Sequence, residues 1–171
     1  MTTRIHDAKR AAAPRARLAI PPSRDVNWAA AGWAGIIGGA SFMLLEVFLN
    51  AGGGHATPVR QIAAIALGAS VIPPPTPFTA LVFVAAMAIH LPLSLIYARV
   101  LALLINGLAP ARAMEGGAVF GAALYGVNYY AFTALFPWFA LTRGSIALAC
   151  HVVFGVIAGG VYAELSRRRG P

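Results

Sequence analysis

The stretch FTALVFVAAMAIHLPLSLIYA, Phe78–Ala98, decides how this chain is read. It holds no charge and, wound as a helix rising 1.5 Å per residue, crosses a hydrocarbon core about 30 Å thick. One strongly polar side chain, His90, stands in its body, and Ser94 and Tyr97 follow on the same helical face. Three further stretches repeat the pattern. Trp28–Asn50 carries Glu46, Gly116–Phe136 carries Asn128, and Ser145–Leu165 carries His151 with Tyr162 further along its face. A polar side chain at membrane depth is costly, so it turns toward a neighbouring helix, a cavity or a cofactor. The expected fold is all-α and integral to the membrane: a four-transmembrane-helix bundle with Glu46, His90, Asn128 and His151 on an inner seam.

Composition and charge agree. The 171 residues are 59% hydrophobic and 11% charged, where a soluble domain is about 25% charged. The net charge of +8 is a topology signal. With residues 1–27 in the cytoplasm, 11 basic residues fall on inner segments and only Arg60 and Arg143 on outer ones. The positive-inside rule then puts both termini in the cytoplasm. Residues 1–27 read as a disordered basic tail able to lie on anionic headgroups. Residues 28–165 are the transmembrane domain, and 166–171 form a second basic cytoplasmic tail. The basic tail lacks interleaved aromatics, so nucleic acid is not expected as a partner. Cys150 is the only cysteine, which excludes an internal disulfide framework. No catalytic, nucleotide or metal signature is complete, and no enzymatic activity is expected.

Between the first two spans, Gly52-Gly53-Gly54-His55 is a flexible lead-in. Val59–Ala69, opened by Pro58, suits a short external helix lying at the membrane surface. Pro73-Pro74-Pro75 then stiffens the chain, and Gly107–Arg112 makes the inner turn. The two halves align. Gly35 and Gly39 match Gly117 and Gly121, both with GxxxG spacing, and Glu46 and Asn128 each fall seven residues after the second glycine. His90 and His151 then match in the second helix of each half. This pattern predicts two parallel-repeat helical hairpins related about the membrane normal. Cys150, adjacent to His151 and diverging from it by about 100°, reads as an apolar filler.

Four strings carry a family resemblance: Met43-Leu-Leu-Glu46, Arg60-Gln-Ile-Ala-Ala-Ile-Ala-Leu-Gly68, Asn128 through Phe139, and His151-Val-Val-Phe-Gly. They resemble a group of small uncharacterised bacterial four-span membrane proteins, over about residues 28–165. Some members bear an automatic sodium:proline symporter label, but true symporters of that kind need many more helices, two of them unwound at the ion site. The resemblance implies four spans and no defined activity. Single-lysine, Ala/Arg-rich usage suits a GC-rich bacterium, hence the inner membrane.

Three functional readings follow from the seam. In the first, Glu46 titrates and the histidines relay, giving small-solute or ion/proton-coupled transport. In the second, His90 and His151 bracket a b-type haem, or His and Glu hold a metal ion. In the third the seam only glues helices together, and the chain is an accessory subunit of a larger membrane complex or a homo-oligomer.

Overall fold

The structure is a computed structural model and describes residues 25–50, 57–72 and 77–168. The basic N-terminal tail, Gly52–Gly54 with His55, Pro73–Pro75 and the last three residues lie outside the described residues. Among the described residues every regular element is helical.

Helix α1 (Trp28–Leu49) opens on Asn27, whose side-chain oxygen accepts the Ala30 N–H at 3.0 Å. That capping satisfies one of the donors every helix start leaves over. Helix α2 (Thr57–Leu67) is short. Helix α3 (Ala80–Ile105) is capped by Thr79 and passes straight through Pro92. Gly107, at φ +80°, then takes the left-handed turn that glycine adopts without penalty. Helix α4 (Pro110–Gly126) begins on a proline, where the missing N–H costs nothing, and α5 (Ser145–Arg167) closes the chain.

Three helices, α1, α3 and α5, are long and apolar enough to cross a membrane. The segment expected as the third span is different. Its α-helix is 17 residues, about 25 Å long. It then passes through a π turn at Val127–Ala131 and 3-10 turns at Phe132–Ala134 and Pro137–Thr142. The local sequence explains the change. Gly126 is followed by β-branched and aromatic residues, which lose side-chain freedom in a helix. The carbonyls freed there find other donors. Thr133 Oγ1 donates to Tyr130 O at 2.9 Å, and the Arg143 guanidinium donates to Tyr129 O at 2.6 and 3.1 Å.

Glycines set the packing. A methyl built on Gly117 would collide with the Gly155 carbonyl, one on Gly155 with the Gly117 carbonyl, one on Gly121 with His151 O, and one on Gly159 with Ala113 O. The α4 and α5 backbones are therefore in direct contact, the close approach small residues permit in membranes. Helix α1 meets α3 in the same way: a methyl on Gly35 would lie 2.9 Å from Ser94 O, and one on Gly39 2.5 Å from Ser94 Oγ. Gly35 and Gly39 reach Ser94 and His90, while Gly117 and Gly121 reach Gly155 and His151. Gly38 turns α1 toward Phe154 and Ala158 of α5.

Helix α2 does more than lie on a surface. It buries Val59, Gln61, Ala63 and Ala64, packing with Met43 of α1 and Val82 and Ala86 of α3. Alanines, glycines, larger apolar side chains such as Leu101, Ile105 and Phe154, and a few polar groups fill the inside, while Trp33, Leu44, Phe48, Leu104 and Val119 stand exposed on the outside. Hydrocarbon solvates such an exterior at no cost, and water does not.

Candidate functional site

Three helices, α1, α3 and α5, and the π turn bring the predicted polar residues to one region. Glu46 is 2% exposed, His151 4%, and His90 9%. Together with Ser94, Tyr97 and Asn128 they border a cavity of ≈ 100 Å³. Its remaining wall is largely aromatic and aliphatic, with Phe42, Tyr129, Phe139 and Phe154 among the rings and Ile62 and Ile65 contributed by α2.

Two separate hydrogen-bond chains organise the seam. In the first, Tyr97 OH donates to Asn128 Oδ1 at 3.0 Å, and Asn128 Nδ2 lies 3.0 Å from His151 Nε2. His151 Nδ1 lies 2.7 Å from the Ala147 carbonyl, an acceptor only. That fixes the directions. Nδ1–H donates to Ala147 O, Nε2 accepts from Asn128, and the imidazole is held as one neutral tautomer. In the second chain His90 Nε2 is 2.9 Å from Gly39 O, so it donates across to α1. Ser94 Oγ donates back to His90 O at 2.9 Å. The Phe42 ring joins the chains, stacking on His90 with centroids 5.6 Å apart and meeting His151 edge-on at 4.8 Å.

Glu46 belongs to neither chain. Its Oε2 is buried with no hydrogen-bond partner among the described residues. The titratable groups that sense its carboxyl are Cys150 of α5 and Tyr129 of the π turn. No described basic side chain pairs with it; the ion pairs found are Arg112–Glu115 and Arg168–Glu164, both on the exterior. An ion in a low-dielectric interior costs several kcal/mol unless it is paired and hydrogen-bonded, so a free carboxylate at this position calls for a counter-ion or a proton.

Some expectations need correction. Tyr162 is not on this seam: its hydroxyl donates to Asn106 Oδ1 at 2.9 Å, beside a second cavity bordered by Asn27, Asn106 and Ser166. Cys150 is fully buried against the Glu46 side of α5. Asn128 and Glu46 match in the alignment, yet Asn128 bonds a histidine and Glu46 does not.

The sequence reading gave Gln61 and Trp138 no part in the site. Gln61 Nε2 donates to Trp138 O, Trp138 Nε1 donates to Gln61 O, each at 3.0 Å, and Thr142 Oγ1 donates to Gln61 Oε1 at 2.9 Å. These bonds bind α2 to the 3-10 turn Pro137–Thr142 across the end of the cavity. A glutamine inside the apolar run Val59–Ala69 was the signal available.

Haem does not fit this site. A porphyrin between His90 and His151 would need the space Phe42 fills, and both Nε2 atoms are already engaged. The cavity, ≈ 100 Å³, is also far too small for a porphyrin. A metal fares no better: among the described residues no three His, Cys, Asp or Glu side chains are grouped to hold one. No protein-family model matches this chain, nor does any curated protein or solved structure.

Proposed function

We propose that this protein is a four-pass inner-membrane protein, made of two duplicated hairpins, that takes up a small solute or ion at Glu46 in exchange for a proton. In this reading the composite segment from Pro110 through the π turn and 3-10 turns makes the third of the four crossings. The observation that carries the reading is the Glu46 carboxyl, which is buried, lacks a partner at Oε2 and faces a cavity. A residue kept only to glue helices would have spent both oxygens on neighbours, as Asn128 spends its amide on Tyr97 and His151. Intramembrane carboxyls of this kind mark ion and proton pathways.

Other groups set the site's character. His90, His151, Cys150 and Tyr129 surround it; His151 is held neutral by its two bonds, and the His90 Nε2–H is spent on Gly39 O. They therefore leave the charge at Glu46 uncompensated. Infrared spectroscopy of the protein in lipid nanodiscs tests this. A protonated carboxyl band that disappears on raising the pH, and is missing in Glu46→Gln, is the expected result. If Glu46→Gln alters thermal stability and leaves every pH-dependent band in place, the seam is packing and the accessory-subunit reading replaces this one.

A further inference from the structure

The cavity wall specifies a class of ligand. Glu46 is the one charged side chain on it among the described residues, and its Oε2 has no partner. The imidazole N–H groups of His90 and His151 are committed to Gly39 O and Ala147 O, so neither is free to donate to an anion. An anionic solute is thereby disfavoured. A bare metal cation is disfavoured as well, because a hard cation takes six or more oxygen ligands and this wall is predominantly apolar. Phe42, Tyr129, Phe139 and Phe154 contribute rings to the wall, and aromatic rings attract cations whose charge is spread over methyl groups. The cavity, ≈ 100 Å³ and partly open, limits the ligand to a compact ion.

We propose that the cavity binds a small methylated ammonium ion, with the Glu46 carboxylate as its counter-ion. The inference rests on the reading of Glu46 as an exchanging site. Binding replaces the Glu46 proton, which leaves to water, so one cation enters for one proton and the buried site keeps its net charge. Uncompensated charge is thus never left in hydrocarbon at either end of the cycle. Helix α2 borders the cavity with Ile62 and Ile65 and is tied to Trp138 through Gln61.

The test uses the full chain in nanodiscs with tetramethylammonium chloride as probe, read by calorimetry and by proton release into weak buffer. Saturable binding is expected, with about one proton released per ion, no competition from sodium or potassium chloride, and at least tenfold weakening in Glu46→Gln. Phe139→Leu keeps the carboxyl and removes one ring, so it should weaken tetramethylammonium while leaving the infrared titration of Glu46 in place. Glu115→Gln, on the exterior, should change nothing. Neutral tert-butanol binding as tightly as tetramethylammonium would overturn the proposal, as would binding that survives in Glu46→Gln. A Glu46 carboxyl that titrates yet ignores tetramethylammonium overturns this inference and leaves the exchange reading standing. A carboxyl that never titrates removes both.

Discussion

The glycine contacts make a sharp prediction because glycine-to-alanine changes should have opposite signs at two positions. Alanine at Gly155 puts a methyl 2.7 Å from the Gly117 carbonyl carbon, and nearer still to its oxygen, where ordinary contact begins at 3.4 Å. The obstacle is backbone, so no rotamer change relieves it. The α4 and α5 backbones must part by at least about 0.7 Å, the difference between 3.4 and 2.7. A gap of that size forfeits a quarter or more of the dispersion along the seam, and overpacking costs ~1–3 kcal/mol. The gain in helix propensity returns only up to ~1 kcal/mol. Gly155→Ala should therefore destabilise by about 1–2 kcal/mol, a fall of roughly 2–8 °C in melting temperature for a chain of this size. Gly32 is also in a helix, α1, but nothing lies within 4 Å of its would-be methyl. Gly32→Ala should raise stability by ~0.5–1 kcal/mol through propensity alone. Thermal unfolding of both variants in one detergent is the assay. Equal shifts in the same direction would refute direct backbone contact between α4 and α5. Gly121→Ala adds a functional consequence. Its methyl meets His151 O, so stability and the Asn128–His151 bond should be lost together.

Further outcomes follow from the hydrogen bonds and the charge pattern. Tyr97→Phe removes the donor to Asn128 Oδ1 and should cost ~0.6–2 kcal/mol in detergent, with a larger effect in Asn128→Leu because His151 Nε2 then loses its donor too. Gln61→Leu leaves Trp138 O and the Thr142 hydroxyl unpaired, so it should cost ~1–3 kcal/mol and speed proteolysis near Pro137–Thr142. Arg143→Gln releases the Tyr129 carbonyl, and hydrogen exchange at Val127–Ala131 should rise while α5 stays protected. In a Cys150→Ala background, a cysteine at position 10 should resist a membrane-impermeant label in intact cells. Labelling there would reverse the inside assignment of the termini.

Much of the site was legible because polarity stands out against an apolar background. Glu46, His90, Asn128 and His151 are conspicuous in runs of alanine, leucine and valine, and helical spacing puts Ser94 and Tyr97 beside His90. Phe42, Tyr129 and Cys150 offered no such contrast. An apolar side chain inside an apolar helix looks the same whether it faces lipid, a cavity or a carboxyl. Tyr162 was misplaced for a related reason. Spacing along α5 gives the face but not the depth, and its hydroxyl answers Asn106 at the far end of the bundle.

By itself the sequence determined the helical class, the extents of α1, α3 and α5, the glycine faces and the identity of the buried polar groups. These are local or one-dimensional properties: length against bilayer thickness, period against helical pitch, and the cost of a polar group in hydrocarbon. The tertiary structure alone decided who partners whom. It holds the π turn of the third apolar run through Arg143, 14 residues away in sequence. It latched α2 over the cavity through Gln61 and Trp138, 77 residues apart. It also gave His151 and His90 their partners and left Glu46 Oε2 without one. A vacant hydrogen bond is a property of everything surrounding an atom, and no stretch of the chain read alone contains it.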